Sequence, residues 1–296
     1  MIEVRGLGKR YGDVVAVADL TFDVRPGVVT AFLGPNGAGK SSTLRMLLGL
    51  DRPTTGTARI DGASYADLPA PLRAVGALLD SSGAHPGRTA RDHLRWLAAS
   101  NRLPRRRVAE VLSLVDLGPA AGRRVGGFSL GMRQRLGIAA ALLGDPPVLL
   151  LDEPTNGLDA EGIRWLRGSL QRLAGEGRTV VVSSHLMAEV ARTADHLLVI
   201  GRGRLLADTP LPAFLAEHGT RSVRVRTHQG DRLRGLLTAA GAGVATDPDG
   251  ALRVSGARAE DVGALAARHG VPLLSLADEG RSLEDAFLQL TAGADT

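Results

Sequence analysis

Residues 34–41 constrain the fold of this chain more than any other stretch. An apolar run, Val28 to Leu33, predicts a strand before them, and Ser42 to Leu50 predicts a helix directly after them. Three glycines let the backbone turn successive N–H groups into one concavity, and the following helix adds its positive end. The spacing is that of a phosphate-binding loop, G-x-x-x-x-G-K-[ST]. The residues that we expect to surround the phosphates are Gly34, Pro35, Asn36, Gly37, Ala38, Gly39, Lys40, Ser41 and Ser42.

Two side chains of this loop carry specific roles. Lys40 would place its ammonium group against the β- and γ-phosphates, and the hydroxyl of Ser41 would bind Mg²⁺. The alternative interpretation is a glycine-rich turn in a chain with 38 glycines. However, Lys9 and Lys40 are the only lysines among 36 basic residues, and one of them occupies the position that requires a lysine. The sequence therefore favours a phosphate-binding loop.

Two further apolar runs end in residues with catalytic chemistry. Val148 to Leu151 runs into Asp152 and Glu153, and Thr179 to Val182 runs towards His185. Ligands of open parallel sheets bind at the carboxyl ends of the strands. We therefore expect Asp152 to hold Mg²⁺, Glu153 to orient or deprotonate the attacking water, and His185 to contact the γ-phosphate. Singly, an Asp-Glu pair often only caps a turn and a histidine often only fills a polar position, but beside an intact loop catalysis is favoured.

Composition limits the class of protein. With 296 residues and 44% hydrophobic content, the chain can bury one large core and a small second one. No apolar run reaches the roughly 18 residues that cross a bilayer, and the first residues lack the features of a signal peptide, so we expect a cytoplasmic protein. Without cysteine there are no disulfides or thiolate metal sites. The net charge of +5 comes from dispersed arginines, which we interpret as solvated surface or a basic face towards an anionic membrane, with no nucleic acid as partner.

The remaining elements predict an α/β fold. Short strands within the first 27 residues form a small antiparallel β layer, and Tyr11 lies in its first turn. The strand Val75 to Leu79 ends at Asp80. Two helices, about 89–101 and 104–117, then form an insert between the two halves of the core.

Five motifs in a fixed order make residues 1–218 resemble the ATP-binding subunit of ABC transporters. They are the phosphate loop, Phe128-Ser129-Leu130-Gly131-Met132-Arg133-Gln134-Arg135, the Leu149 to Glu153 strand and carboxylates, Asn156-Gly157-Leu158-Asp159, and Ser184-His185. The resemblance implies a P-loop NTPase fold with a RecA-like parallel sheet, an antiparallel β layer and a helical insert, which binds ATP and Mg²⁺. It also implies that Tyr11 stacks on adenine, that Ser129 and Gly131 bind the γ-phosphate of ATP held by the opposite subunit, and that Asp159 belongs to the nucleotide site.

The chain departs from the family pattern at two places. Leu130 and Met132 replace a glycine and a glutamine of the usual signature, and Asp80 stands where a glutamine normally follows the strand. Asp80 is a candidate for binding the metal or positioning water, or else the point of coupling to a membrane partner. Both substitutions are similar to those of the drug-export branch that includes daunorubicin- and bacitracin-resistance-type subunits.

Residues 219–296 predict a second, smaller domain. Strands and helices follow one another in the order βαββαβ, which is typical of a ferredoxin-like α+β unit, and a terminal helix, Leu283 to Leu290, ends the pattern. We expect this domain to provide packing or dimer contacts, with a regulatory ligand-binding module as the alternative. It carries no recognisable catalytic group.

Together these features predict an ATPase subunit that powers export, with antibiotic or lipid-like molecules as possible cargo. Its expected partners are a separate transmembrane permease and a second copy of itself or a related ATPase subunit, on the inner face of the cell membrane. A non-transport ABC-type ATPase acting on nucleic acid or ribosomes is one alternative. A regulatory module that senses ATP without useful hydrolysis is another.

Overall fold

A computed structural model describes residues 1–79, 83–219 and 221–293. The chain divides into two compact units, Met1–Pro210 and Leu211–Thr296. The predicted boundary lay after residue 218, and the difference is one helix, Leu211–His218, which belongs to the second unit. No helix in the described ranges combines the length and apolar character needed to cross a membrane.

The first unit contains two sheets. Its strands are β1 (Ile2–Tyr11), β2 (Val14–Val24), β3 (Val29–Leu33), β4 (Thr55–Ile60), β5 (Val75–Leu78), β6 (Val148–Leu151), β7 (Thr179–Ser183), β8 (His196–Gly201) and β9 (Arg204–Pro210). Its helices are α1 (Lys40–Leu47), α2 (Pro71–Ala74), α3 (Ala90–Ser100), α4 (Arg106–Leu114), α5 (Leu130–Leu142), α6 (Ala160–Gly175) and α7 (Met187–Thr193), with short 3₁₀ turns at Tyr65–Asp67 and Val125–Gly127.

The central sheet has the strand order β5-β6-β7-β3-β8-β9, and only the edge strand β9 runs antiparallel to its neighbour. Every residue of β3, β6 and β7 is buried, as expected for parallel strands covered on both faces. The predicted parallel core is confirmed. Its carboxyl edge places the ends of β3, β6 and β7 side by side.

A three-stranded antiparallel sheet, β2-β1-β4, forms the second layer. Ile2 pairs with Val24 on one side and with Ile60 on the other, and all three side chains are buried. They belong to the same hydrophobic cluster as Leu44 of α1. The predicted β layer is therefore confirmed, although Tyr11 is the last residue of β1, paired with Val14, rather than part of a turn.

The helical insert consists of α3 and α4. Thr89 caps α3 by accepting a hydrogen bond from the N–H of Asp92. Leu94 and Val111 lie in the hydrophobic cluster that also contains Leu136 of α5. Helix α4 begins at Arg106, two residues after the proline that was predicted to open it, because Arg105 is the N-cap residue between them.

The second unit contains α8 (Leu211–His218), β10 (Arg221–Arg226), α9 (Gly230–Ala239), β11 (Gly243–Thr246), β12 (Leu252–Ser255), α10 (Ala259–Arg268), β13 (Ser275–Arg281) and α11 (Leu283–Gly293). The antiparallel sheet has the order β11-β12-β10-β13, the ferredoxin-like arrangement that was predicted. Its helices α9 and α10 cover one face, where Val223, Leu233, Val254 and Val262 form a separate hydrophobic cluster. Helix α8 packs against α11.

Candidate functional site

The phosphate-binding loop joins β3 to α1. Gly37 and Gly39 adopt φ values of 80° and 105°, a region that side chains with a Cβ rarely occupy. A Cβ on Gly39 would also lie 2.5 Å from the carbonyl oxygen of Ala16. Both the dihedral angle and the close approach explain why glycine occupies position 39, directly before the helix begins.

Lys40 is held across this loop. Its Nζ donates hydrogen bonds to the carbonyl oxygens of Gly34 at 2.6 Å and Pro35 at 3.2 Å, and the residue is only 9% exposed. Burial lowers the pKa of Lys40, while the nearby charges of Glu153 and Asp152 act in the opposite direction. The ammonium group is thus fixed at the loop with two carboxylates nearby.

Asp152 follows β6 and accepts two hydroxyl hydrogen bonds. Ser41 Oγ donates to its Oδ2 at 2.8 Å, and Ser183 Oγ donates to its Oδ1. The sequence prediction did not include Ser183 in the site. Its position as the last residue of a buried strand, two residues before His185, was the signal that could have identified it.

Glu153 is held at three points. Its N–H donates to Ser183 Oγ at 2.9 Å, and its carbonyl oxygen accepts from Gln134 Nε2 at 3.2 Å. Its Oε2 lies 2.7 Å from Nδ1 of His185, and because an ionised carboxylate can only accept, Nδ1 is the donor. Its φ of 48° is uncommon for a residue other than glycine. Gln134 belongs to the signature-like motif Phe128 to Arg135, but no role in the site was predicted for it.

These side chains surround one cleft of about 240 Å³. The cleft is lined by Ala16, Asn36, Gly37, Gly39, Lys40, Ser41, Ser42, Asp152 and Glu153. The structure therefore brings the predicted loop and the two carboxylates together, with His185 bonded to Glu153 at the side.

The loop residues Gly34, Pro35 and Ala38 do not line this cleft themselves, and neither do four predicted residues from other parts of the chain. Tyr11 donates from its hydroxyl to Asp51 at 2.8 Å, which raises the pKa of Tyr11, and a hydrogen bond with the side chain of Ser42, the last loop residue, acts in the opposite direction. Ser129 caps α5 by accepting from the N–H of Met132 at 3.2 Å. Asp159 caps α6 by accepting from the N–H of Gly162 at 2.8 Å.

Gly131, the fourth, lies where α5 meets the loop before α6. A Cβ on Gly131 would be 2.7 Å from the carbonyl oxygen of Gly157, so the close approach of the two backbones requires glycine there. Asp80, the remaining predicted metal ligand, lies outside the described residues.

The oxygen atoms of Ser41 and Asp152 fit a hard divalent cation such as Mg²⁺. No cluster of three or more histidine, cysteine or acidic side chains in the described ranges could hold a metal by itself. The donor set therefore fits an ion that takes its remaining ligands from water and nucleotide phosphates, which is how Mg²⁺ is usually bound at such sites.

Comparison with known proteins gives a consistent result. The family model described as "ABC transporter" matches residues 17–156, and one described as a domain of unknown function matches residues 221–284. The bacitracin transport ATP-binding protein BcrA of Bacillus licheniformis is 41% identical over 71% of this chain and 70% of its own length. A Nod factor export ATP-binding protein of Cupriavidus pinatubonensis is 35% identical over 98% and 90%.

Solved structures agree. The ATP-binding subunit of an ABC transporter matches with a TM-score of 0.68 and 30% identity, over 73% of this chain and 92% of that one. A dimeric ATP-binding cassette bound to ADP and Pi in a post-hydrolysis state matches with a TM-score of 0.65 and 26% identity, over 71% and 99%. The chain therefore belongs to the ABC transporter family, as one of its ATP-binding, ATP-hydrolysing subunits.

Proposed function

We propose that this ATPase subunit uses Mg²⁺-ATP to drive export of a small molecule through a separate membrane permease, from the inner face of the membrane. The observation that carries the proposal is the cleft in which Lys40, Ser41, Asp152 and Glu153 converge. The names of the relatives, which include bacitracin transport and Nod factor export, support the direction of transport.

The residues divide the chemistry among them. Backbone N–H groups of the loop and the ammonium group of Lys40 would bind the β- and γ-phosphates. Ser41 and Asp152 would hold Mg²⁺, which neutralises charge on the phosphates. Glu153 would accept a proton from the water that attacks the γ-phosphorus, so that the bond to ADP breaks and phosphate is released, while His185 contacts the γ-phosphate.

Each site would be completed by a second subunit. Ser129 and Gly131 do not line the cleft of their own chain, and they lie at the N-terminus of α5, where a capping hydroxyl and free N–H groups favour an anion. We propose that they bind the γ-phosphate of ATP held by the partner, either a second copy or a related chain. Two ATP molecules would then be enclosed head to tail, and Tyr11 would stack on adenine.

The test is the variant Glu153→Gln. It removes the proton acceptor and keeps the shape of the side chain, so we expect ATP binding to persist, hydrolysis to stop and an ATP-bound dimer to accumulate. Radiolabelled ATP binding, phosphate release and analytical ultracentrifugation measure the three effects. Normal phosphate release by this variant would contradict the assignment of Glu153.

The transport part needs a separate experiment. The chain is co-expressed with the membrane protein encoded beside it, and co-purification and ATP turnover are measured. We expect a stable complex in which turnover rises and remains dependent on Glu153. The opposite outcome is a dimer that does not bind the membrane protein, with ATP turnover that nucleic acid stimulates. That result would replace this proposal with the non-transport alternative.

A further inference from the structure

The backbone of Glu153 is fixed by side chains from two other elements. Ser183, at the end of β7, accepts from its N–H, and Gln134 of α5 donates to its carbonyl oxygen. The residue has a φ of 48°, and such a conformation persists only where surrounding contacts determine it. The direction in which the Glu153 side chain leaves the backbone therefore depends on both contacts.

Gln134 is held rigidly. It is only 4% exposed, and it lies on a helix whose residues Leu136, Ile138 and Ala139 are buried in the main hydrophobic cluster. Its Nε2 is 3.2 Å from the carbonyl oxygen of Glu153. A displacement of α5 would therefore change this contact, because the glutamine cannot move independently of its helix.

Helix α5 begins beside the loop that precedes α6. Ser129 caps the helix, and the close approach of Gly131 to Gly157 places its first turn against the loop before α6. In the head-to-tail arrangement proposed above, this first turn contacts the ATP held by the partner subunit. Glu153, by contrast, acts on the ATP of its own subunit.

We propose that Gln134 is a positioning residue that couples the two ATP sites: it ties the catalytic Glu153 of one site to the helix that binds the nucleotide of the other. The proposal rests on the function proposed above. Binding of the partner's ATP displaces α5, and the Gln134 hydrogen bond transmits that displacement to the peptide of Glu153. Hydrolysis in one site then depends on occupancy of the other.

Gln134→Met tests the hydrogen bond with little change in packing. Methionine has a similar length and helix preference but no donor. Gln171→Met is a matched control, because Gln171 Nε2 also donates to a backbone carbonyl at 3.2 Å, that of Arg192, and neither of these exposed residues lines the cleft. Full-length chains of both variants are compared with the unmodified protein.

For Gln134→Met we expect kcat to fall by about 10- to 100-fold, the size of effect that a misplaced reacting group produces. ATP affinity and ATP-dependent dimerisation, measured in the Glu153→Gln background with radiolabelled ATP and by ultracentrifugation, should change by less than about twofold. The Hill coefficient of hydrolysis should fall from above one to about one. Gln171→Met should match the unmodified protein in each measurement.

Unchanged kcat and cooperativity in Gln134→Met would overturn the proposal, and so would a parallel loss of ATP affinity and dimerisation, which would show a structural role. A Hill coefficient of about one in the unmodified protein would overturn the coupling. If the methionine variant does not fold, Gln134→Glu takes its place, since an ionised glutamate has the same shape and cannot donate. Normal turnover by Glu153→Gln would contradict the proposed function instead, so the two failures are distinguishable.

Discussion

Asp51 connects the proposed adenine contact to helix α1. It accepts from the hydroxyl of Tyr11 at 2.8 Å and from Nε of Arg45, also at 2.8 Å. The Arg45 hydrogen bond, followed by that of Tyr11, lowers the pKa of Asp51, and the bond to Asp51 raises the pKa of Tyr11. Lys9 lies 4.9 Å from the centre of the Tyr11 ring on one side. These contacts fix the ring that we propose stacks on the base.

We expect Asp51→Asn to lower the pKa of Tyr11 towards its usual value, because the ionised acceptor is lost. In the unmodified protein, a raised Tyr11 pKa gives stabilisation that disappears as pH rises through it, and a lowered Asp51 pKa gives stabilisation that disappears as pH falls through it. Absorbance titration of the phenolate measures the change. Tyr65 is the only other tyrosine, and Tyr11→Phe identifies its signal; an unchanged Tyr11 titration would contradict the role of Asp51.

Lys40 and Glu153 carry opposite charges in the same cleft, so their variants can be compared directly. Lys40→Ala should weaken ATP binding by about 10-fold or more, since a charge-assisted contact to phosphate contributes at least about 1.4 kcal/mol. Glu153→Gln should retain binding. Calorimetric titration with ATP measures both, and unchanged affinity in Lys40→Ala would count against the phosphate-loop interpretation.

The sequence was sufficient to predict which charged residues lie together at the edge of the sheet. It was not sufficient to predict the hydrogen bonds that position them. Lys40, Asp152 and His185 have characteristic spacings relative to predicted strands, and parallel strands bring their ends to one edge. Ser183 and Gln134 act through hydrogen bonds to a backbone whose conformation at Glu153 is visible only in the structure. Ser183 ends a buried strand two residues before His185 and Gln134 lies in the signature-like motif, but neither position indicates a hydrogen bond to the backbone of Glu153.

At the scale of elements, helix α6 offers a test with one substitution at two positions. A Cβ on Gly168 would meet no atom within 4 Å, whereas a Cβ on Gly162 would lie 2.9 Å from the Oδ1 of Asp159 that caps the helix. We expect Gly168→Ala to raise the free energy of unfolding by about 0.5–1 kcal/mol through its better helix propensity. Gly162→Ala should lower it by about 1 kcal/mol by disturbing the cap.

Urea denaturation measures both changes. A stabilising effect of Gly162→Ala would show that the cap of α6 tolerates displacement, contrary to the hydrogen bond between Asp159 and the N–H of Gly162. Gly168 is exposed and does not line the cleft, so its substitution also controls for general effects of alanine.

The strands β8 and β9 were missing from the prediction for different reasons. Strand β8 is an apolar, buried strand inside the sheet that the prediction overlooked, whereas β9 is an antiparallel edge strand whose residues are mostly half exposed. The last strand was predicted over Pro272 to Leu276 but extends over Ser275–Arg281, where it pairs with β10. Its charged residues Asp278 and Glu279 give no apolar signal, because an edge strand with a solvated face does not need one.

At the scale of the whole molecule, the domain boundary lies before α8 because α8 packs against a helix of the second unit. Phe214 of α8 is completely buried, and α8 packs against α11, whose residues Ala286 and Phe287 are also buried. The sequence pattern could not show this, since α8 directly follows the last strand of the first unit and has no linker before it.

This packing predicts different stabilities for two fragments of the second unit. Residues 211–296 retain α8, whereas 219–296 lose it and expose the apolar side chains of α11. Burying a phenylalanine side chain contributes about 1.5–3 kcal/mol, and in a domain this small that is a large share of the total stability. We expect fragment 211–296 to unfold cooperatively in urea and fragment 219–296 to unfold at a clearly lower urea concentration.

The matched first-unit fragments, 1–210 and 1–218, should differ in solubility instead, because the second would carry an unpartnered apolar helix. Equal urea midpoints for the two C-terminal fragments would show that α8 contributes nothing to the second unit, and would return the boundary to residue 218.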